Sequence, residues 1–430
     1  MENLITFIKA HSNDDIARLI LDRRKYPDID IDLAVNCIES RRKLKGKVQE
    51  WHERTDMIFP LKLSAEQCSS TATGSYKAEL AEKIALSDKS EWILADLTGG
   101  LGVDSWFFSK RASRVVYNEM QEVLCKAAAH NFKTLGVNNI TIINSTITAG
   151  NALDAILAME PEIDIVFIDP ARRGEGGKKV FLIEECTPDV LTIKEEIFEH
   201  CRHLLIKLSP MADISMVCDR LGKKCREVHV VAAGGECKEL LIWMDREWSD
   251  DYTIIAVELH GDGRRSELVI SDMHMAPLTP VFATLRHPLA GGGMSTPPSC
   301  ISDIEQRILF IFEPGKALMK AGCFNLIANK FEIHKLGKST HYYITDSAEK
   351  AETLKQYGKV FRILECHPLD KRSMKEIGKK YPKAEVTARN IPMDTDTLRK
   401  KLGITSGDDA HIFGLKSDKE GNLLIAGKRI

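Results

Sequence analysis

The segment Asp96-Leu97-Thr98-Gly99-Gly100-Leu101-Gly102-Val103-Asp104, directly after the apolar Trp92-Ile93-Leu94-Ala95, limits the possible folds of this chain more than any other. A glycine turn between a buried strand and a helix lets backbone approach a ligand closely and aims helix N–H groups at it. From residue 91 onward, short β-branched and apolar runs alternate with helical stretches: Trp92–Leu97, Arg114–Tyr117, Ile140–Asn144, Ile163–Ile168 and His203–Leu208. That alternation predicts parallel β-α units. Two further runs, Val228–Ala232 and Glu239–Met244, are separated by too few residues for a parallel crossover, so an antiparallel hairpin is predicted there. The expected fold class is α/β, with a seven-stranded Rossmann-like core.

A chain of 430 residues exceeds what one hydrophobic core normally organises. The expected division is a helical region over 1–80, the α/β core over 81–250, and two small α+β modules over 251–350 and 351–430, the first ferredoxin-like. In the first region Ser12-Asn13-Asp14-Asp15 supplies helix caps, and Arg41, Arg42, Lys43, Lys45 and Lys47 form a basic cluster read as facing water. Thr253–Leu259 and Glu267–Ile270 read as a hairpin opening the 251–350 module. The Gly/Pro-rich stretch His287 to Cys300 reads as a loop or domain junction. No apolar run is long enough to span a bilayer, and Met1 to Ala10 lacks the pattern of a secretion signal, so a cytoplasmic location without membrane contact is expected. Eleven cysteines without a Cys-x-x-Cys pair argue against a disulfide framework or a thiolate metal site, so no metal is expected. The net charge of −2 conceals a basic end: residues 351–430 hold 17 Lys+Arg against 11 Asp+Glu. Such a segment suits a polyanion.

The chemistry lies in the spacing of polar strand ends. Asp96, Glu119, Ser145 and Asp169 follow one another at 23, 26 and 24 residues, which predicts that all four line the carboxyl edge of the sheet, where open α/β folds bind ligands. A carboxylate at Glu119, just beyond the second strand, is placed to accept both hydroxyl protons of a ribose. The glycines do not follow G-x-G-x-x-G, since Ser105 occupies the place of the third. Upstream, the hydroxyl-rich Gln67 to Lys77 either caps a helix or offers Lys77 to a cofactor carboxylate. Arg172, Arg173, Lys178 and Lys179 flank Gly174-Glu175-Gly176-Gly177, a basic loop suited to a phosphate-bearing substrate. In the last module Lys371, Arg372, Lys375, Lys379, Lys380 and Lys383 surround Tyr381, a combination suited to RNA backbone and base stacking.

Asp96 to Asp104, Glu119, Asn144-Ser145 and Asp169-Pro170-Ala171-Arg172-Arg173 resemble the successive motifs of the class I S-adenosylmethionine (SAM)-dependent methyltransferases. Val386-Thr387-Ala388-Arg389-Asn390 and Leu398-Arg399-Lys400-Lys401-Leu402-Gly403, with Lys320-Ala321-Gly322 and Glu365-Cys366-His367-Pro368, resemble a bacterial methyltransferase family with a C-terminal THUMP-like domain. The resemblance implies SAM as cofactor, held by Asp96, Thr98, Gly99, Gly100, Gly102, Asp104, Glu119, Asn144, Ser145 and Lys77. It implies catalysis at Asp169, Pro170 and Arg172. Structured RNA (rRNA or tRNA) is the implied substrate, contacted by Arg173, Lys178, Lys371, Arg372, Lys375, Lys379 and Lys380. Amino-group methyltransferases carry Asp/Asn-Pro-Pro-Tyr/Phe where this chain has Asp169-Pro170-Ala171-Arg172, which disfavours exocyclic-amine chemistry. Ser209 stands where pyrimidine C5 methyltransferases have a cysteine, which disfavours covalent catalysis. Direct transfer to a base nitrogen or other heteroatom is therefore expected. The alternatives are a protein or small-molecule acceptor, or an RNA-binding protein that retains SAM without catalysis.

Overall fold

The computed structural model describes residues 2–86, 90–148, 163–172, 182–270, 285 and 308–430, with the backbone alone for Arg172. The chain divides into two compact units, one comprising Met1–Gly234, Lys238–Ile254 and Leu259–Arg264 and the other Gly235–Cys237, Ile255–Glu258 and Arg265–Ile430.

The first unit begins with helices α1 (Glu2–Ala10), α2 (Ile16–Leu21), α3 (Ile31–Leu44), α4 (Gln49–Glu53), α5 (Lys62–Gln67) and α6 (Thr71–Ala85). The expected caps form: Asp15 accepts from the Arg18 N–H, and Ser70 and Thr73 close a capping box at α6. The basic cluster is less exposed than expected. Arg41 is buried, and Arg42 donates to the Ser12 and Asp14 carbonyls.

Strands β1 (Ile93–Asp96), β2 (Arg114–Asn118), β3 (Ile140–Ile143) and β4 (Ile165–Ile168) follow, then the short β5 (Ala171–Arg172) and β6 (Cys186–Thr187), and β7 (His203–Leu208), β8 (Cys225–Ala233) and β9 (Glu236–Asp245). Between them lie α7 (Val103–Ser109), α8 (Glu122–Thr134), α9 (Val190–His200) and α10 (Ile214–Leu221). β3, β2, β1, β4 and β7 pair in parallel, and β9 adds antiparallel to β7. The central strands are apolar on both faces, as a doubly covered parallel sheet requires. β8 and β9 are neighbours joined by the turn Gly234-Gly235, both at positive φ, matching the predicted hairpin.

The expected number of strands requires correction. With β10 (Thr253–Leu259) and β11 (Arg265–Ile270) the sheet has nine strands, in the order β11-β10-β8-β9-β7-β4-β1-β2-β3. The hairpin assigned to the following module extends this sheet, and local sequence carries no signal for which sheet a hairpin joins.

The second unit contains β12 (Phe310–Pro314), α11 (Lys316–Ala321), α12 (Phe324–Lys330), β13 (His334–Lys335), β14 (Tyr343–Thr345), α13 (Ala348–Leu354), β15 (Gly358–Pro368), α14 (Lys371–Lys380), β16 (Lys383–Arg389), α15 (Thr395–Leu402), β17 (Thr405–Ser417) and β18 (Gly421–Arg429). Its strands form one sheet, β13-β14-β12-β15-β18-β17-β16, so the two modules expected over 251–350 and 351–430 are joined by a continuous ladder. Alternate residues of β17 and β18 enter opposite cores: Phe413 and Ile425 pack with Ile311 and Ile344, whereas Ile412 and Leu424 pack with Ile377 of α14 and Leu398 of α15.

Candidate active site

At the carboxyl edge of the parallel strands in the first unit lies a cleft of about 860 Å³. Asp96, Thr98, Gly99, Gly100, Asp104, Glu119, Ser145, Asp169 and Pro170 all line it, so the regular spacing of strand ends does bring those residues together.

The loop after β1 is shaped by polar contacts on both sides. Asp96, 1% exposed, accepts from the Thr98 N–H (3.1 Å) and the Ser105 hydroxyl (2.5 Å). Burial pushes its pKa up to about 7, with the Asp104 charge adding to the rise against the two hydrogen bonds. Gly99 lies flat against Tyr117: a Cβ there would stand 2.1 Å from the ring, whose hydroxyl donates to the Gly100 carbonyl at 2.6 Å. Gly100, at φ +54°, has open space where a Cβ would be, with the Thr98 carbonyl nearest at 3.8 Å. Glu119 accepts from the Gly100 N–H through one oxygen (2.9 Å) and from the Gln121 N–H through the other (2.8 Å). A carboxylate oxygen accepts more than one bond, so both retain capacity towards the cleft. Ser145 bonds Asn118, while Thr98 receives the Asp169 N–H at 2.7 Å, fixing two further strand ends.

Lys77 requires correction. It is fully buried and does not line the cleft; its ammonium contacts the Ser69 hydroxyl (2.8 Å), both oxygens of Glu239 (2.9 and 3.0 Å) and Asp104 (3.2 Å). With every donor engaged it has none for a cofactor carboxylate. Asn144 and Gly102 also stand behind the cleft wall: Asn144 donates to the Glu119 and Met120 carbonyls, and Gly102 caps α7 at φ +90°. Of Arg172 the backbone is described, in β5 opposite Cys186, whereas Arg173, Lys178 and Lys179 lie outside the described residues.

Sequence reasoning missed Lys207 and Glu239. Lys207, the penultimate residue of β7, reaches Asp169 at 2.5 Å and Asp104 at 3.8 Å. Burial works against its charge, but Asp169, Asp104 and Glu239 outweigh burial and hold it well above an ordinary lysine. Burial likewise opposes ionisation of Asp104, yet Lys77 and Lys207 keep that carboxyl below its usual range. Glu239, on β9, is raised, since burial exceeds the pull of the two lysines. The available signal for Lys207 was a lysine inside the mostly apolar run His203–Leu208, whereas Glu239 follows Glu236 and Lys238 and does not stand out. Cys201 is outside the site: its thiol contacts the Asp164 and His203 carbonyls, and burial pushes it up to about 12.

A THUMP domain-like profile matches residues 358–429, and a ferredoxin-like domain profile matches 310–351. Among solved structures, a protein from Porphyromonas gingivalis W83 provisionally designated a methyltransferase is 25% identical, covers 99% of this chain and 97% of its own, and aligns with a TM-score of 0.80. The chain has a methyltransferase fold with a C-terminal THUMP-like domain. An rRNA methylase from Streptococcus thermophilus aligns over 40% of this chain and 93% of its own at 15% identity and a TM-score of 0.29. M. capricolum TrmK, solved with S-adenosylhomocysteine, aligns over 41% and 70% at 14% identity and a TM-score of 0.29. No curated protein sequence matches the chain.

Within the THUMP-like domain the structure separates the expected basic residues. Lys371, Lys375 and Lys379 recur every fourth residue on α14, exposed and without an ion pair among the described residues. Arg372 is held by Glu376 (2.9 Å) and Lys380 by Glu365 (2.8 Å). Tyr381, half-buried, donates its hydroxyl to Glu365 at 2.6 Å. No helix among the described residues is long and apolar enough to cross a membrane.

Proposed function

We propose that this protein is a SAM-dependent methyltransferase that modifies structured RNA at a base nitrogen or other heteroatom. The observation that carries the reading is the convergence of Asp96, the Gly99-Gly100 turn, Glu119 and Asp169 on one cleft at the ends of parallel strands. The residues fit the cofactor. Glu119 keeps acceptor capacity for two ribose hydroxyls, Gly100 leaves room for backbone to meet a ligand, and Ser145 closes the third strand end where an adenine would rest. Asp96 lines the cleft beside the turn, where the positive charge of a methionyl amine would favour its ionised form. SAM, when bound, supplies a methyl group on a sulfonium centre. The chain's part is to hold the acceptor in line with that methyl beside Asp169 and Pro170, so catalysis rests on positioning.

RNA as substrate is supported by the THUMP-like match and the unpaired Lys371, Lys375 and Lys379 stripe, a spacing suited to successive phosphates. The testing experiment is transfer of labelled methyl from SAM to total RNA from cells lacking the protein, with SAM affinity measured by calorimetry. Wild type is expected to label RNA. Asp169→Ala is expected to bind SAM and leave the RNA unlabelled; an undiminished rate in that variant removes Asp169 from the reaction.

A further inference from the structure

Asp169, just past β4, and Lys207, the penultimate residue of β7, follow the paired Ile168 and Ile206 of neighbouring parallel strands, and both line the cleft side by side. The Lys207 ammonium stands 2.5 Å from one Asp169 oxygen. Two of its three donors remain for other partners, and Asp104 lies too far, at 3.8 Å, for a hydrogen bond. The second oxygen of Asp169 has no hydrogen-bond partner among the described residues, and the side chain is 41% exposed. Asp104 and Glu239 reinforce Asp169 in keeping Lys207 protonated, so this position donates and never accepts. The cleft therefore offers a fixed pair: a carboxylate acceptor and, beside it, a cationic donor. Ala171 and Arg172 follow where a base-stacking aromatic would be needed for exocyclic-amine chemistry.

We propose that the methyl acceptor is the lactam edge of a nucleobase, the ring N–H beside a carbonyl carried by guanine and uracil, with the N–H on Asp169 and the carbonyl oxygen on Lys207. The proposal rests on the RNA methyltransferase reading and narrows it. A lactam nitrogen is a poor nucleophile while protonated, because its electron pair is shared with the carbonyl. As the N–H bond breaks, the proton passes to the Asp169 carboxylate and negative charge spreads to the carbonyl oxygen, where the ammonium of Lys207 is already in place. The freed pair forms the new N–C bond, and the C–S bond of the sulfonium breaks with its pair left on sulfur as a neutral thioether. An adenine or cytosine edge makes no such use of the pair. No anionic oxygen develops there, and an ammonium aimed at the unprotonated ring nitrogen would cover the lone pair that must attack.

The experiment uses the full chain, SAM and total RNA from cells lacking the protein, followed by digestion to nucleosides and mass spectrometry. Methylation at N1 of guanosine or N3 of uridine is expected. Lys207→Met is expected to lower that yield about 100-fold, the usual scale for losing a charge-stabilising donor, with SAM affinity by calorimetry unchanged. Lys207→Arg is expected to restore part of it, and raising the pH to recover part of the Lys207→Met rate, since the lactam then ionises without help. Methylated adenosine or cytidine overturns this proposal and leaves the methyltransferase reading standing. A Lys207→Met variant that no longer binds SAM assigns Lys207 to the cofactor and overturns it too. No methylated nucleoside of any kind, with SAM bound by the wild type, overturns the RNA reading and this proposal with it.

Discussion

Asp96 is a carboxyl group enclosed by protein, and its displaced titration has a measurable sign. The unfolded chain releases this proton near pH 3.8, whereas the folded chain keeps it to about pH 7. Stability from this group is therefore lost as pH rises between those values, by at most about 4 kcal/mol, and is flat above. Asp96→Asn is expected to flatten that slope in urea-unfolding measurements, because the amide oxygen still accepts from Thr98 and the Ser105 hydroxyl can turn to accept from the amide nitrogen. Glu119→Ala removes the proposed ribose acceptor; SAM affinity by calorimetry is expected to fall about 10- to 100-fold, the worth of a charged hydrogen bond. Both carboxylates were legible in the sequence because Asp96 directly follows an apolar run and Glu119 stands one residue beyond the next. Lys207 and Glu239 were not: their partners lie 38 and 162 residues away, and no local pattern joins them.

The glycine turn and α6 carry predictions at the scale of elements. Gly99→Ala drives a methyl group into the Tyr117 ring and is expected to abolish SAM binding and cost about 1–3 kcal/mol. Tyr117→Phe, which loses only the bond to Gly100, is expected to cost about 1 kcal/mol in thermal unfolding. In the sequence Tyr117 only closes the run Arg114–Tyr117, and the fold alone reveals that its hydroxyl holds the neighbouring loop. Lys77 ties α6 to α7 through Asp104 and to β9 through Glu239. Lys77→Met alone strands two buried carboxylates and is expected to cost about 3–5 kcal/mol, whereas Lys77→Met with Glu239→Leu is expected to recover much of that loss. A double-mutant cycle measures the difference. The parallel strands were legible because polar ends recurred at nearly constant intervals. Strands β10 and β11 were visible as a hairpin, but sheet membership is decided by distant pairing that a hairpin's own residues do not specify.

For the whole molecule, the charge asymmetry of the sequence resolves into a few unpaired side chains. Replacing Lys371, Lys375 and Lys379 together by Ala is expected to weaken RNA binding and reduce the slope of log affinity against log salt by about 2–3, because three phosphate contacts are lost. Filter binding across a salt series checks this, and an unchanged slope excludes the stripe from the interface. The basic surplus was legible in composition; that Arg372 is engaged by Glu376 and Lys380 by Glu365 was not. The ladder from Phe310↔Arg362 to Pro314↔Gly358 has a consequence for heredity. The matches at 310–351 and 358–429 resemble two cassettes, yet a recombination event that cut between them would hand one descendant the bare flank of β12 and the other the bare flank of β15, each an invitation to aggregate. The two segments can diverge in sequence at different speeds, but they must be transmitted as one block.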